Sequence, residues 1–286
     1  MKKLLITGTS SYIGNSLESW LKKSDEKYMV DKISLRGESW KDVDFSNYDS
    51  VFHVAGIVHI KETPENRDSY YKVNRDLAFE VAKKAKAEGV KQFVFLSTMS
   101  VYGLESGIID RNTPMSPNTS YGKSKIQAEE LLEDLREECF KVAVLRPPMV
   151  YGKGCKGNYP KLAKLARKIP IFPQIENSRS MVYIDHLSEF TRHLIDDERD
   201  GLFFPQNSEY VCTSEMVKLI GKHNGKKIMM TRLLNPIIRV LKTGTVEKVF
   251  GSLTYDKKMS EYGKDYQLFE FEDTIEATER GNRDES

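Results

Sequence analysis

The amino-acid sequence predicts an α/β protein in which a doubly wound parallel sheet is followed by a smaller, mixed α/β C-terminal lobe. Short apolar runs alternate with segments of helical periodicity from Lys3 to Arg146. The first of these runs leads into a turn with two glycines, directly ahead of a predicted helix. The alternation stops after Gly152, where loops and short helices follow. A length of 286 residues is sufficient for two closely associated lobes.

Five segments of the first half have the composition of buried strands, because apolar residues fill them and polar or turn residues bound them. They are Lys3–Thr7, Lys32–Arg36, Ser50–Ala55, Gln92–Ser97 and Lys141–Arg146. The predicted helices between them are Asn15–Lys23, Asp76–Glu88 and Tyr121–Glu138. Strands separated by helices in this order predict a parallel sheet with helices on both of its faces.

The second half has fewer regular patterns. Pro160–Lys168 and Ser214–Asn224 have helical periodicity, and Ser214 has the residue type of an N-cap. Residues 205–213 are predicted to be irregular or strand-like, and the polar tail after Thr278 is expected to fray. The sequence contains no internal repeat and no long linker.

Charge and composition exclude several classes of protein. The 44 Lys and Arg residues nearly balance the 42 Asp and Glu residues, which argues against a nucleic-acid-binding protein. The three cysteines, Cys139, Cys155 and Cys212, form no C-x-x-C pair, so neither a disulfide framework nor a metal site is expected. No signal peptide or membrane-spanning run is recognisable. These features predict a cytoplasmic protein with reduced thiols and no membrane partner.

The first candidate site is the turn TGTSSYIG at residues 7–14, between the first strand and the first helix. Small residues let the backbone approach a ligand, and the helix N-terminus offers N–H groups to a pyrophosphate. The candidate residues are Gly8, Ser11, Tyr12, Ile13 and Gly14. The alternative is an ordinary turn that binds no ligand. Its position between a strand and a helix favours a dinucleotide-binding turn.

Two further candidate sites contain hydroxyl and amine groups. Tyr121 and Lys125 are four residues apart and therefore share one helical face. An ammonium stabilises a phenolate, so such a pair can work as an acid/base, although it also occurs on solvated helix faces. Thr98 and Ser100 follow a buried strand, where hydroxyls face the ligand crevice of an α/β sheet or else cap the next turn.

Seven segments between Lys3 and Thr278 carry a family resemblance through their order and spacing. They are TGTSSYIG (7–14), VFHVAG (51–56), YYKVN (70–74), FVFLSTMSVYG (93–103), YGKSK (121–125), LRPPMVYG (145–152) and RSMVYIDH (179–186). The sequence resembles the extended short-chain dehydrogenase/reductase family, in the branch of nucleotide-sugar 4-epimerases and 4-reductases. The resemblance implies a Rossmann-type NAD(P)-binding domain over 1–153, with 179–204 returning to it. It also implies a substrate-binding lobe over 154–178 and 205–286.

The resemblance implies a role for each matching position. Tyr121 would move the proton at the sugar hydroxyl or ketone, Lys125 would hold the nicotinamide ribose and lower the pKa of the tyrosine, and Thr98 would orient the reacting oxygen. The implied cofactor-binding residues are Gly8, Ser11, Tyr12, Ile13, Gly14, Arg36, Ala55, Gly56, Asn74 and Lys125, with a structural role of Asn74 left open. The implied substrate-binding residues are Thr98, Ser100, Asn158 and Arg179. Arginine suits a diphosphate because its donors form a fork, although Arg179 could also form a surface ion pair.

The residues near the second strand bear on the choice between NAD(H) and NADP(H). An acidic residue at the end of this strand accepts a hydrogen bond from the ribose 2′-hydroxyl of NAD, whereas an arginine accommodates the 2′-phosphate of NADP. Arg36 is placed at that end, and Asp31 at the start of the predicted strand. The sequence therefore favours NADP(H), with the alternative that Arg36 is solvated and that Asp42 or Asp44 folds back.

Two other positions depart from the family pattern. Ser11 replaces a glycine, and a serine keeps the turn only where its backbone angles allow. Met99 and Ser100 replace the Asp-Glu pair of the family's dehydratases, so the sequence argues against dehydratase chemistry. His53 is predicted to be a satisfied core residue, and His59 a loop residue near the presumed crevice.

The resulting expectation is an NAD(P)-dependent enzyme that acts at C4 of a UDP- or dTDP-hexose by hydride transfer, with Tyr121 as the acid/base. The sequence favours a 4-keto-6-deoxy-sugar reductase, and a 4-epimerase is the alternative. A non-catalytic NAD(P)-binding sensor or scaffold is the alternative of another class, because a fold alone does not establish activity. A homodimer that pairs through Asp76–Glu88 and Ile126–Glu138 is also expected from the resemblance.

Overall fold

The computed structural model describes residues 1–24, 27–58, 60–233, 235–240 and 244–283, so His59 lies outside the described residues. The chain divides into two compact units. The first contains Met1–Gly103, Pro114–Pro147 and Leu187–Pro205; the second contains Leu104–Thr113, Pro148–His186 and Gln206–Ser286. This division differs from the predicted boundaries in three places, since residues 104–113 and 148–153 belong to the second unit and the return runs from Leu187 to Pro205. The cofactor and substrate roles of the two parts stay predictions.

Twelve strands are formed by the described residues. They are β1 (Lys2–Thr7), β2 (Tyr28–Ile33), β3 (Ser50–His53), β4 (Gln92–Leu96), β5 (Gly107–Ile109), β6 (Lys141–Leu145), β7 (Met149–Tyr151), β8 (Ile171–Pro173), β9 (Met181–Tyr183), β10 (Gly201–Phe203), β11 (Met229–Thr231) and β12 (Leu253–Tyr255). The predicted second strand was shifted, because β2 pairs with β1 only from Tyr28 to Ile33. A last hydrogen bond joins the N–H of Gly8 to the carbonyl of Ile33 at 2.8 Å, so residues 34–36 lie beyond the sheet.

Ten helices are formed by the same part of the chain. They are α1 (Tyr12–Leu21), α2 (Arg67–Tyr71), α3 (Leu77–Ala87), α4 (Ser120–Glu133), α5 (Asn158–Lys168), α6 (Ile184–Asp196), α7 (Thr213–His223), α8 (Asn235–Val240), α9 (Gly244–Phe250) and α10 (Phe271–Arg283). Helix α4 ends five residues before the predicted Glu138, because Glu137 and Phe140 form an antiparallel bridge that turns the chain into β6. Several apolar residues of the two segments that were predicted to pair subunits lie in the core, namely Ala78, Val81, Ala82, Ala85, Ala128 and Leu132. The homodimer stays a prediction.

The first unit is built on a parallel six-stranded sheet with the strand order β10-β6-β4-β3-β1-β2. The chain runs from β1 outward to β2 and then returns to the other side of β1 with β3. The carboxyl ends of β1 and β3 therefore flank the point at which the winding direction reverses, and open α/β sheets bind their ligands at this point. The predicted doubly wound fold is confirmed.

Both faces of this sheet are covered. Leu5, Val51 and Phe93 belong to one cluster together with alanines of α3 and the residues Ala128 and Leu132 of α4. Their strand neighbours Leu4, Phe52 and Val94 point to the opposite face and are also fully buried. Continuous apolar runs are typical of parallel strands that are buried on both faces, which is why the sequence pattern predicted them correctly.

The described residues of the second unit form three parallel two-stranded sheets, β5 with β12, β7 with β9, and β8 with β11. Ser214 lies inside α7 and is not its N-cap; Cys212 has that position. The Ser214 hydroxyl donates to the Pro173 carbonyl at 2.9 Å, so its polar group serves the second unit's core and not the helix end. The tail that was expected to fray after Thr278 is helical to Arg283, because Thr278 and Glu279 are fully buried.

Candidate active site

The turn after β1 brings two strand ends of the first unit into close contact. Gly8 has a φ of +96°, and a Cβ atom at this position would lie 3.2 Å from the backbone of Ala55. A Cβ atom at Gly14 would lie 3.0 Å from both Ile6 and Val54. Close packing therefore requires glycine at both positions. The backbone of the turn at the switch point carries no side chain at these two residues.

Helix α1 begins at this turn with a capped N-terminus. The Ser11 hydroxyl accepts a hydrogen bond from the Gly14 N–H at 3.2 Å, and the backbone of Ser11 is extended, with φ −70° and ψ 127°. A serine at the position of the third glycine therefore causes no backbone strain and also caps the helix. Tyr12 and Ile13 form the first turn of α1, where amide groups and the helix dipole favour an anion.

The loop after β3 is held by a buried asparagine. Asn74 accepts a hydrogen bond from the Ile57 N–H at 2.7 Å and donates to the Ile57 carbonyl at 3.0 Å. It also donates to the Ser124 hydroxyl of α4 at 3.1 Å. Asn74 is fully buried, whereas Gly56 is exposed. In this structure, the Asn74 side chain therefore holds the backbone of the loop that contains Ala55 and Gly56. It does not itself face the exposed side of the loop.

The glycine turn, the N-terminus of α1 and the exposed Ala55–Gly56 loop fit a pyrophosphate and its attached ribose. Cβ atoms at Gly8 and Gly14 would press against Ala55, Ile6 and Val54, so the turn carries no side chain at these two positions. The amides of α1 supply donors without a cationic side chain. The residues present therefore fit a dinucleotide.

The charged residues near β2 have different surroundings from those predicted. Asp31 lies inside β2 and not at its start, and its carboxylate accepts a hydrogen bond from the Tyr48 hydroxyl at 2.9 Å. Arg36 lies three residues beyond the end of β2 and is exposed. The acidic group is thus engaged in a structural contact, and the exposed cation lies on the chain that leaves the strand.

Thr98, Tyr121 and Lys125 belong to two neighbouring elements of the first unit. Thr98 follows β4, and its hydroxyl accepts a hydrogen bond from the Ser100 N–H at 3.1 Å. Tyr121 lies in the first turn of α4, which Thr119 caps through a hydrogen bond from Gly122 at 3.1 Å. The Thr98 hydroxyl is also the polar neighbour that lowers the pKa of the Tyr121 phenol. The structure therefore brings the predicted threonine and tyrosine together.

The ammonium of Lys125 is buried under the same face of α4. It donates a hydrogen bond to the Leu96 carbonyl at 2.8 Å and lies 4.5 Å from the centre of the Phe95 ring. A Cβ atom at Gly56 would lie 3.7 Å from this ammonium, so Lys125 lies beside the exposed loop after β3. The three predicted catalytic residues and the predicted cofactor loop thus adjoin one another within the first unit.

Burial has the largest effect on the pKa values of Tyr121 and Lys125. Burial raises the pKa of the Tyr121 phenol to about 12, and the Thr98 hydroxyl acts in the opposite direction. Burial lowers the pKa of the Lys125 ammonium to about 8, and the charge of Glu129 opposes this shift. The expected lowering of the tyrosine pKa by Lys125 is not found in the protein alone, where desolvation of the phenolate dominates.

The short 3₁₀ turn Met99–Tyr102 follows Thr98 and carries Ser100 on its exposed side. The Ser100 hydroxyl accepts a hydrogen bond from the Thr98 hydroxyl at 3.2 Å. The capping role that the sequence left open for Ser100 belongs to Thr98, which is the N-cap of this turn. Neither Met99 nor Ser100 carries an ionisable side chain, so neither can replace a carboxylate of the dehydratase Asp-Glu pair.

Sequence reasoning missed a buried charged cluster directly beneath these residues. Glu129 of α4 forms an ion pair with Arg146, and both are less than a tenth exposed. The Ser97 hydroxyl donates to Glu129, and Arg146 donates to the Tyr102 hydroxyl at 2.8 Å. One signal in the sequence could have revealed the cluster, because Glu129 follows Lys125 by four residues and so shares its helical face.

His53 is fully buried on β3, as predicted, but its hydrogen bonding is only half satisfied. Its Nδ1 atom lies 3.1 Å from the Thr7 hydroxyl, whereas Nε2 has no partner among the described residues. Burial and then the charge of Lys125 lower the pKa of His53 to about 3, so the ring is neutral at pH 7. The predicted core position of His53 is therefore confirmed, whereas the prediction that its hydrogen bonding is satisfied was wrong for Nε2.

The predicted substrate residues Asn158 and Arg179 both lie in the second unit. Asn158 is exposed and is the first residue of α5. Arg179 pairs its backbone with Val211, and one guanidinium nitrogen donates to the Gly251 carbonyl at 2.9 Å. Burial lowers the pKa of Arg179, against the charge of Glu105. Arg179 is therefore held by a backbone carbonyl, and this bond uses one of its five donors.

The described part of the chain contains neither a metal-binding cluster nor a membrane-spanning helix. No group of three or more His, Cys, Asp or Glu side chains among the described residues could hold a metal ion. No helix within the described ranges is long and apolar enough to cross a membrane. The three cysteines are free, with Cys139 exposed and Cys155 buried.

The strand order, the glycine turn and the Thr-Tyr-Lys set define a dinucleotide-dependent enzyme of the Rossmann class. The profile of the "NAD dependent epimerase/dehydratase family" matches residues 4–202, and the chain belongs to this family. A UDP-glucose 4-epimerase of Vibrio cholerae is 29% identical over 243 residues, which cover 76% of this chain and 74% of that protein. The predicted family, the enzyme class and a nicotinamide dinucleotide as cofactor are confirmed.

Two solved structures are similar over nearly their whole length. One is a UDP-glucuronic acid 4-epimerase from Bacillus cereus in complex with NAD, with a TM-score of 0.74, 18% identity and 99% of both chains covered. The other is a dTDP-4-dehydrorhamnose reductase from Clostridium acetobutylicum, with a TM-score of 0.72 and 18% identity, covering 96% of this chain and 98% of that one. At this identity the likeness concerns the fold.

Proposed function

We propose that the protein transfers a hydride between a nicotinamide cofactor and C4 of a nucleotide-linked hexose, with Tyr121 as the acid/base. The observation that carries this proposal is the arrangement of Thr98, Tyr121 and Lys125 beside the loop Ala55–Gly56. These side chains would hold the nicotinamide end of a cofactor that is bound against this loop. The relatives that are named as nucleotide-sugar epimerases and reductases support the choice of substrate class.

The residues of the chain divide the proton chemistry among them. Tyr121 donates its phenolic proton to the oxygen at C4 during reduction and takes it back during oxidation. Thr98 holds the phenol and orients the reacting oxygen through its hydroxyl. Lys125 supplies a positive charge that stabilises the phenolate once the cofactor and the substrate exclude water. When bound, the cofactor supplies or accepts the hydride.

The proposed choice of cofactor is supported by the residues near the end of β2. Asp31 is bonded to Tyr48, and the exposed Arg36 suits the 2′-phosphate of NADP through a forked, charge-assisted hydrogen bond. We therefore propose NADP(H) as the preferred cofactor.

Replacing Arg36 by Ala is expected to weaken NADPH binding by about 10- to 100-fold, because a charge-assisted hydrogen bond is lost. NADH binding is expected to stay the same, since NADH lacks the phosphate. Calorimetric titration of both cofactors measures the change, with Arg199→Ala as a control at another exposed arginine of the first unit. Tighter binding of NADH than of NADPH by the unaltered protein contradicts the proposal.

A reductase of a 4-keto-6-deoxy sugar is the form of this function that the cofactor preference supports. A reductase must release its oxidised cofactor and bind a new reduced one, and NADPH suits that role. Asn158 and Arg179 of the second unit are proposed to bind the diphosphate of the nucleotide-sugar, because an amide and a guanidinium both donate to phosphate oxygens. The second candidate is a 4-epimerase, which the relative from Vibrio cholerae favours.

One pair of reactions separates the two candidates. The protein is incubated with a UDP-4-keto-6-deoxy-hexose and NADPH, and separately with UDP-glucose and UDP-N-acetylglucosamine. Stoichiometric loss of NADPH absorbance in the first reaction is expected for the reductase. Formation of the 4-epimer in the second reaction, without net consumption of cofactor, overturns the reductase assignment in favour of the epimerase.

A further inference from the structure

A buried polar cluster lies beneath the proposed catalytic residues and joins the elements that carry them. This cluster consists of Ser97, Tyr102, Glu129 and Arg146. Glu129 is on α4, Arg146 directly follows β6, and Ser97 directly follows β4. All belong to the first unit. The cluster therefore connects the helix of Tyr121 and Lys125 with the strand end that carries Thr98.

The geometry of the ion pair is that of a fork. The Nε atom of Arg146 lies 3.1 Å from each carboxylate oxygen of Glu129, and Nη2 lies 2.5 Å from Oε2. Ser97 donates its hydroxyl hydrogen to the same carboxylate. Burial alone lowers the pKa of Arg146, but the hydrogen bonds and charge of Glu129 outweigh it and raise the pKa. The pair is therefore charged and held in one geometry.

The backbone next to the cluster is joined as well. The Ser97 N–H donates to the Leu145 carbonyl at 2.7 Å, and the Met99 N–H donates to the Pro147 carbonyl at 3.0 Å. Thr98 is the residue between these two hydrogen bonds. Its position thus depends on the end of β6, where Arg146 is fixed by Glu129.

We propose that Glu129 and Arg146 are positioning residues for the reaction, which fix Thr98 relative to Tyr121 and keep the ammonium of Lys125 charged. The inference rests on the proposed function for its kinetic part only. A purely structural ion pair could be replaced by apolar residues without loss of function, because such pairs add little net stability. A positioning pair that also acts through its charge cannot be replaced in this way.

The charged and titratable groups around Lys125 come from three elements. Glu129 lies on its own helix α4 and has a negative charge that opposes the effect of burial. Tyr121 lies on the same helix, and His53 faces Lys125 from β3 as a neutral ring. Arg146 lies beyond Glu129 at the end of β6. Since Glu129 is the only anion among these groups, its loss is expected to make the ammonium lose its proton at lower pH.

The test is the variant Glu129→Gln, which keeps the shape of the side chain and removes its charge. With the substrate accepted by the unaltered enzyme, kcat is expected to fall by about 10- to 100-fold with little change of KM. The alkaline limb of the pH–rate profile is expected to move to lower pH, because Lys125 deprotonates earlier. The ¹³Cε resonance of Lys125, assigned by its absence in Lys125→Met, is expected to titrate at lower pH as well.

The matched control is Glu189→Gln. Glu189 is also a buried carboxylate of the first unit, paired with Arg192 and hydrogen-bonded to Trp20 at 2.8 Å. This variant is expected to leave both the pH–rate profile and the Lys125 titration unchanged. Ser97→Ala provides a milder perturbation, since it removes one hydroxyl and keeps the ion pair, and is expected to lower kcat without moving the Lys125 titration. It remains a usable test if Glu129→Gln does not fold.

The outcomes distinguish this inference from the proposed function. A Lys125 resonance that titrates at the same pH in Glu129→Gln and in the unaltered protein overturns the charge role. An unchanged kcat in both Glu129→Gln and Ser97→Ala overturns the positioning role. A shifted Lys125 titration in a protein that turns over no nucleotide-sugar supports the charge role and overturns the proposed function instead.

Discussion

Replacing Tyr121 by Phe is expected to lower kcat by about 10²- to 10⁴-fold, the usual contribution of a positioned general acid or base. The variant keeps the aromatic ring in the first turn of α4 and removes only the hydroxyl that neighbours Thr98. Cofactor binding is expected to persist, because the glycine turn and the Ala55–Gly56 loop are untouched. Steady-state kinetics and a cofactor titration on the same preparation measure both effects.

The pH dependence of the reaction gives this prediction a second readout. Burial raises the pKa of Tyr121 to about 12 in the protein alone, so the phenol carries its proton throughout the neutral range. Reduction, which requires the protonated phenol, is expected to remain active at neutral pH. Its alkaline loss is expected to follow the group of lower pKa, Lys125, at about 8.

Tyr71→Phe is the matched control for Tyr121→Phe. Tyr71 is a half-buried tyrosine of the first unit, at the end of α2, and its ring packs against the guanidinium of Arg75. This variant is expected to retain the activity of the unaltered enzyme. Equal turnover of accepted substrates by Tyr121→Phe and the unaltered protein means that the catalytic assignment is wrong.

Replacing Gly103 by Ala is expected to be the most destabilising single-methyl change that the structure indicates. Gly103 ends the 3₁₀ turn after Thr98 with a φ of +67°, and a Cβ atom there would lie 2.0 Å from the carbonyl oxygen of Ser116. The left-handed backbone costs about 1 kcal/mol, and displacing a backbone carbonyl adds roughly 2 kcal/mol or more. Urea unfolding is expected to show a free energy of unfolding lower by about 3 kcal/mol.

Gly89→Ala separates the two causes. Gly89 follows α3 with a φ of +81°, but nothing lies within 4 Å of a Cβ atom at this position. Its loss of stability is expected to be about 1 kcal/mol, from the backbone conformation alone. If the two variants unfold at the same urea concentration, the close contact between Gly103 and Ser116 does not contribute, and the account of this turn fails.

The elements that the sequence predicted best are those whose signal is local. The runs at β1, β3, β4 and β6 are apolar on both faces, and this composition alone identifies strands buried in a parallel sheet. The tyrosine and lysine of α4 are also a local signal, because a separation of four residues determines that they share a face. Position and spacing along the chain were sufficient for these parts of the fold and of the candidate site.

The end of β2 shows where a local signal fails. The residues Ser34–Arg36 have no feature that excludes a strand, and they lie outside the sheet only because β1 ends at Thr7 and offers no further partner. Likewise, the sequence placed Asp31 at the start of the predicted strand, and only the structure shows it inside β2 with a hydrogen bond from Tyr48. Both facts depend on residues that are distant in sequence.

The sequence by itself predicted the doubly wound α/β class from composition and spacing, and its resemblance to a known family identified that family and pointed to Thr98, Tyr121 and Lys125 as the candidate catalytic set. Only the tertiary structure decided the protonation tendencies of Tyr121 and Lys125 and the pairing of Glu129 with Arg146. The physical reason is that burial and charge pairing depend on which segments meet in space. Desolvation raises or lowers a pKa according to those neighbours, and a sequence read residue by residue does not contain them.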